Sequence, residues 1–203
     1  MFLINGTYYK LFLNTISALA LFAALTVTLF TSLESEAGGA FQKGLPASAN
    51  WTGRAVSMTP FDLKLMGAGF YEISDTRPDA TPLTVEQIFG KALTFQYRRD
   101  NSDQWQDPDV TERARTGDCE DMAVWLYREL KRNGYQRVRV MVGKFESGEK
   151  VHHVWVTLPA SSGDDLILDP ALQTRVWRRS ALLPDLYVPS YSFDGARKYD
   201  HTL

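Results

Sequence analysis

The sequence predicts an α+β fold, one helix followed by a set of antiparallel strands. Three observations carry that prediction. Cys119, Met122, Ala123, Leu126 and Leu130 recur at i, i+3, i+4, i+7 and i+11, the period of one helix face. Val151 to Leu158 alternates with period two, as a strand does. Leu166 to Asp169 is a short apolar run, ended by Pro170 and preceded by a loop from Pro159 to Asp165 rich in Ser, Gly and Asp. A chain of 203 residues suffices for one such domain with a proper core. Its 44% hydrophobic and 23% charged residues are ordinary globular values, which excludes a disordered or collagenous chain. A formal net charge of -2 argues against a nucleic-acid partner.

The N-terminal stretch has a different character. Lys10 is followed by an uncharged, mostly apolar run from Leu11 to Leu33, with small residues around Ser35 to Ala37. This reads as a secretory signal peptide over 1–37, or as a retained signal anchor, since about 20 apolar residues can span a bilayer. Either reading exports the remainder. Residues 38–50, rich in Gly, Ala and Ser, read as a linker, and 51–203 as the functional domain.

Within the domain, Pro60 and Gly67-Ala68-Gly69 break any long element. Thr84 to Tyr97 predicts a helix capped by Thr84, with Val85, Ile88, Phe89 and Leu93 at helical spacing. Arg98 to Thr116 is polar and turn-rich, with Trp105 and Pro108 as anchors. The next helix has Asp118 as N-cap, Cys119 in its first turn, Arg128, Lys131 and Arg132 towards its C-terminal end, and Gly134 as its stop. Val138 to Gly143 predicts a strand, and Ser147-Gly148 the turn into Val151 to Leu158.

Cys119 is the single cysteine, so no disulfide can form within the monomer. In an exported chain a lone thiol is a reactive group or an intermolecular link. A helix N-terminus and a neighbouring imidazolium both stabilise a thiolate, and the strand after the turn offers His153 or His152. If the loop is symmetric about Ser162, Leu158 lies opposite Leu166 and Trp155 opposite Asp169. His153 then shares a face with Asp169, close enough for a carboxylate to fix its tautomer. A one-residue slip would select His152 instead. His201, near the C-terminus, reads as exposed and inert.

Asp118, Glu120 and Asp121 crowd the thiol, and negative charge disfavours a thiolate. They suit the positive end of the helix, or a bound cation offsets them; carboxylate oxygens are the hard ligands calcium prefers.

The segment Gly117-Asp118-Cys119-Glu120-Asp121-Met122-Ala123, preceded by Trp105 and Pro108, resembles the bacterial transglutaminase-like cysteine proteinases, the LapG-type periplasmic proteases among them. His153-Val154-Trp155 is similar to the His-x-Trp of the wider superfamily, Leu168-Asp169-Pro170 to the strand carrying the triad acid, and Val188 to Asp194 to a C-terminal Pro-x-Tyr-Ser-Phe-Asn run. The resemblance spans Leu83 to Tyr199. It implies a papain-like, transglutaminase-like core and selects His153 over His152, giving a Cys119–His153–Asp169 triad. It implies calcium at Asp118 and Glu120, a periplasmic location and cleavage of a protein substrate such as a large surface adhesin. It also implies an inner-membrane cyclic di-GMP receptor as partner. The same residues would serve acyl transfer to amines by a transglutaminase or amidase; a non-catalytic binding module of this type would show a broken triad.

Overall fold

The computed structural model describes residues 53–74, 81–100, 104–146, 148, 152–195 and 197–202, all within one unit, Ala40–Leu203. The signal peptide or signal anchor expected over 1–37 and the linker expected over 38–50 lie outside the described residues. Among the described residues no helix is long and apolar enough to cross a membrane.

The described residues begin with a strand, Arg54–Val56 (β1), and a short helix, Asp62–Gly67 (α1). Helix Val85–Ala92 (α2) and strand Gln96–Tyr97 (β2) follow, then helix Pro108–Ala114 (α3), strand Thr116–Gly117 (β3) and the long helix Cys119–Arg132 (α4). The remainder is sheet: Arg139–Glu146 (β4), His153–Pro159 (β5), Asp165–Leu168 (β6), Trp177–Arg178 (β7), Leu186–Asp194 (β8) and Arg197–Asp200 (β9). Among the described residues seven strands form one sheet in the order β1-β9-β8-β4-β5-β6-β7, every neighbouring pair antiparallel. The predicted α+β class is therefore the observed one.

The sheet has two differently filled faces. Val140, Val142, Val154, Val156, Leu158 and Leu168 join Ala123, Leu126 and Leu130 of α4 in the main core. Met141, Trp155, Ile167 and Tyr187 form a smaller cluster from the alternate positions. Period-two alternation in β4 and β5 thus serves two apolar layers rather than one core and one wet face.

Helix α4 starts and stops where the sequence places it: Asp118 is the N-cap, and the chain turns at Gly134 with φ of 85°. Its apolar stripe is not its only covered face, because Glu120 through Lys131 are all buried. The polar flank is covered by α3. Arg128 pairs there with Asp109, Glu112 and Glu129, so a fully sequestered guanidinium is compensated by carboxylates. This helix α3 lies inside the stretch expected to be turn-rich; Asp107 caps it and Pro108 occupies its first turn.

The helix expected over Thr84 to Tyr97 ends at Ala92. Thr84 and Gln87 form a reciprocal capping box at its start, as a Thr-x-x-Gln sequence allows. At its end the Thr94 hydroxyl bonds the carbonyl of Lys91, and Gln96 and Tyr97 pair in parallel with Thr116 and Gly117. Long-range pairing outcompetes helical periodicity there.

His201 is not the exposed residue expected. It is half-buried against the sheet, 2.8 Å from the Ser192 hydroxyl, and Gly53 passes so close that a Cβ there would lie 2.7 Å from the ring. Burial, then the charge of Arg139, lowers its pKa to about 4. The folded state therefore resists protonation that the unfolded chain accepts. Stability should be full above the unfolded value of 6.5 and decline as pH falls towards 4. Allowing for partial exposure, the loss is about 1–2 kcal/mol. Urea unfolding midpoints of the wild type and His201→Gln between pH 7 and 4 check this; a slope that survives the substitution would refute it.

Candidate active site

The start of α4 is held by its own acidic residues. The Asp118 N–H donates to Asp121 Oδ2 at 3.3 Å, while Asp121 Oδ1 accepts from the Gln106 N–H at 2.8 Å and Oδ2 from Gln106 Nε2 at 2.5 Å. The loop after Trp105 is thereby clamped to the first turn. Gly117 is required by the same packing, since a Cβ on it would sit 2.6 Å from the Asp121 Cβ. The glycine and the second aspartate of Gly-Asp-Cys-Glu-Asp are thus structural partners.

Cys119 is the first helical residue, where backbone N–H groups lack intrahelical acceptors. Its Sγ is partly buried, donates to Glu120 Oε2 at 3.0 Å and accepts the Val154 N–H. The sulfur therefore lies at β5, one residue along from His153. Burial first, and then the Glu120 carboxylate, push the thiol well above its ordinary range, against the pull of the Val154 amide. The acidic surroundings foreseen as a difficulty do oppose ionisation. Burial also lifts Glu120 to about 7 and Asp121 to about 6, with Asp118 adding like charge to both.

His153 opens β5 opposite Gly143 of β4. It lies on the face of Trp155, not on the valine face beneath α4. Its ring stacks on Trp155 with centroids 6.1 Å apart, and Phe145 and Tyr187 each approach to 6.4 Å. The Cys119 sulfur reaches the same strand at its backbone, through its bond to the Val154 N–H.

Asp169 follows β6. Leu158 pairs with Leu166, the register expected from a symmetric loop, and this carries Asp169 to the diagonal position beside His153. His153 Nε2 lies 2.8 Å from Asp169 Oδ2. With that oxygen accepting from Nε2–H, Nδ1 is the free basic nitrogen. The carboxylate is fully buried: Oδ1 accepts from the Ala171 and Leu172 N–H groups at 3.1 and 3.3 Å, and Oδ2 also accepts from the Tyr187 hydroxyl at 2.7 Å. His152 is exposed, with its ring edge-on to Phe61 at 5.5 Å. The register leaves His153 and not His152 beside the acid.

Among the described residues Asp118 Oδ1 is buried with no hydrogen-bond partner, while Oδ2 accepts from the Asp100 N–H at 3.4 Å. An orphaned carboxylate oxygen beside a second carboxylate, Glu120, suits a hard cation. Among the described residues no cluster of three or more His, Cys, Asp or Glu side chains is arranged as a metal cage.

Sequence reasoning did not find Tyr187, Phe145 or Gln106. Tyr187 immediately precedes the Val188 to Asp194 run, but nothing in its spacing relates it to Asp169; β8 brings it there through pairing with β4.

No protein-family model and no curated protein sequence matches the chain. Solved structures do. LapG of Legionella pneumophila in its calcium-bound form is 22% identical, with a TM-score of 0.50 over 72% of this chain and 82% of that one. The same protein treated with EGTA gives 22% identity and a TM-score of 0.51, over 72% and 80%. The chain therefore has the fold of LapG, a mixed core of helices and antiparallel sheet with Cys119 at the start of its long helix.

Proposed function

We propose that this protein is a cysteine peptidase that hydrolyses a protein substrate through Cys119, His153 and Asp169. The observation that carries the reading is the 2.8 Å pair between His153 Nε2 and buried Asp169, on the strand whose next N–H bonds the Cys119 sulfur. Asp169 holds the ring so that Nδ1 takes the thiol proton. The thiolate attacks the peptide carbonyl, and the Cys119 N–H at the helix start donates to the developing oxyanion. The imidazolium returns its proton to the departing amine, leaving a thioester. Water then gives its proton to Nδ1 and adds to the thioester carbon, and collapse frees the acid and the thiol.

Asp118 and Glu120 would hold a calcium ion, as the calcium-bound form of LapG suggests by analogy. What the ion supplies is positive charge that offsets two carboxylates opposing thiolate formation. The reading extends to the periplasm as location and to a large surface adhesin as substrate, with an inner-membrane cyclic di-GMP receptor as partner.

Two measurements test this. Iodoacetamide should label Cys119 of residues 38–203 well below the free-thiol pKa of about 8.5 when calcium is present, and the His153→Ala variant should lose that fast labelling. Labelling that follows an ordinary thiol in both, with or without chelator, would dismiss the peptidase reading. A Cys119→Ala strain should retain surface proteins that the wild type releases; normal release would remove the adhesin assignment.

A further inference from the structure

Tyr187 is a non-glycine residue with a φ of 54°, in the left-handed region, within a strand. Such a conformation costs on the order of 1 kcal/mol and persists only where the surroundings impose it. Here they do: the side chain is fully buried among Phe145, Trp155 and His153, with ring centroids 5.1, 5.2 and 6.4 Å away. Its hydroxyl ends 2.7 Å from Asp169 Oδ2, the oxygen that His153 also contacts.

The two Asp169 oxygens are used differently. Oδ1 is satisfied by the backbone of the turn that follows it, which fixes the carboxyl locally. Oδ2 has two acceptor positions, and His153 and Tyr187 fill them. Without the phenol, Oδ2 would keep one buried lone pair unpaired, and the carboxyl plane would be set by the backbone bonds alone. Tyr187 remains a donor throughout: burial and the Asp169 charge push its ionisation far above the ordinary range. Gln173 supports the group, since its Oε1 accepts from Trp177 Nε1 at 3.0 Å and its side chain also bonds the phenol.

We infer that Tyr187 is a positioning residue of the active site, its buried hydroxyl orienting Asp169 Oδ2 towards His153 and so setting how strongly the imidazole activates Cys119. This rests on the triad reading above. The residue touches neither substrate nor sulfur; it acts through Asp169.

The test is the pH dependence of Cys119 alkylation in the exported domain, 38–203, with calcium. The four proteins are wild type, Tyr187→Phe, Asp169→Asn and the double variant, with His153→Ala beside them. Phe keeps the ring and its packing, and thermal melting of each variant establishes that the fold persists. Tyr187→Phe should move the labelling midpoint up by about one pH unit, equivalent to about tenfold slower labelling at neutral pH. In the Asp169→Asn background the same change should add nothing, because the hydroxyl acts only through the carboxylate. A midpoint that stays or moves down in Tyr187→Phe, or an effect that persists undiminished beside Asp169→Asn, would overturn the positioning role and leave the triad standing. Labelling unaffected by His153→Ala would overturn the triad itself, and this inference with it.

Discussion

Replacing Asp169 by Asn should lower peptidase turnover about 10³- to 10⁴-fold while leaving the protein folded. The size of the effect follows from what the carboxylate does. It accepts from His153 Nε2, and an amide can do this only through its oxygen, with its NH₂ turned towards the donors on the other side. Those donors are the Ala171 and Leu172 amides, which cannot accept. The amide must therefore leave either the turn or the histidine badly served, and rotation would present the imidazole with a donor and select the wrong tautomer. Asp169→Ala is expected to be worse for stability. It strands two backbone amides, the Tyr187 hydroxyl and the His153 ring in a fully buried site, at about 1–3 kcal/mol for each group that finds no new partner. Hydrolysis of a denatured protein substrate, with urea unfolding of both variants, separates the two effects. Undiminished hydrolysis by folded Asp169→Asn would remove Asp169 from the mechanism.

Gly143→Ala should destabilise the domain by about 3 kcal/mol or more, through a different cause. Gly143 pairs with His153 on one side and Pro189 on the other, at the point where the β4–β8 register shifts after Val142. Its φ is unremarkable; the restriction is space. A Cβ there would collide with the Val188 carbonyl oxygen and come within 2.7 Å of the Pro189 Cα and 2.9 Å of the Trp155 ring. Two of these are backbone atoms that move only if the strand moves. Because Gly143 lies across from His153, any relief would also displace that histidine. Gly67→Ala is the natural comparison, since an added Cβ in that helix meets nothing within 4 Å. Equilibrium urea unfolding should show a large fall in midpoint for the first variant and little change for the second. Equal midpoints would mean that β8 yields more readily than its backbone contacts suggest.

The sequence by itself determined the central helix and the hairpin. Asp118, Cys119 and Gly134 delimit α4 because caps and stops are local chemistry, written in adjacent residues. The pairing of Leu158 with Leu166 followed from one short loop, and it alone brought Asp169 to His153. What tertiary structure decided were matters of non-local pairing. Gln96 and Tyr97 left the helical pattern because Thr116 and Gly117 offered a ladder twenty residues away. The mostly apolar Val188 to Asp194 run gave no hint that its predecessor, Tyr187, would be turned into the left-handed region against Asp169. The face of the sheet that α4 covers was likewise undetermined. Alternation assigns residues to faces, but only packing assigns a face to the helix, and here α4 took the valine face. The shift of the thiol depends on how deeply Glu120 and Cys119 are buried together, and burial is a property of the whole fold.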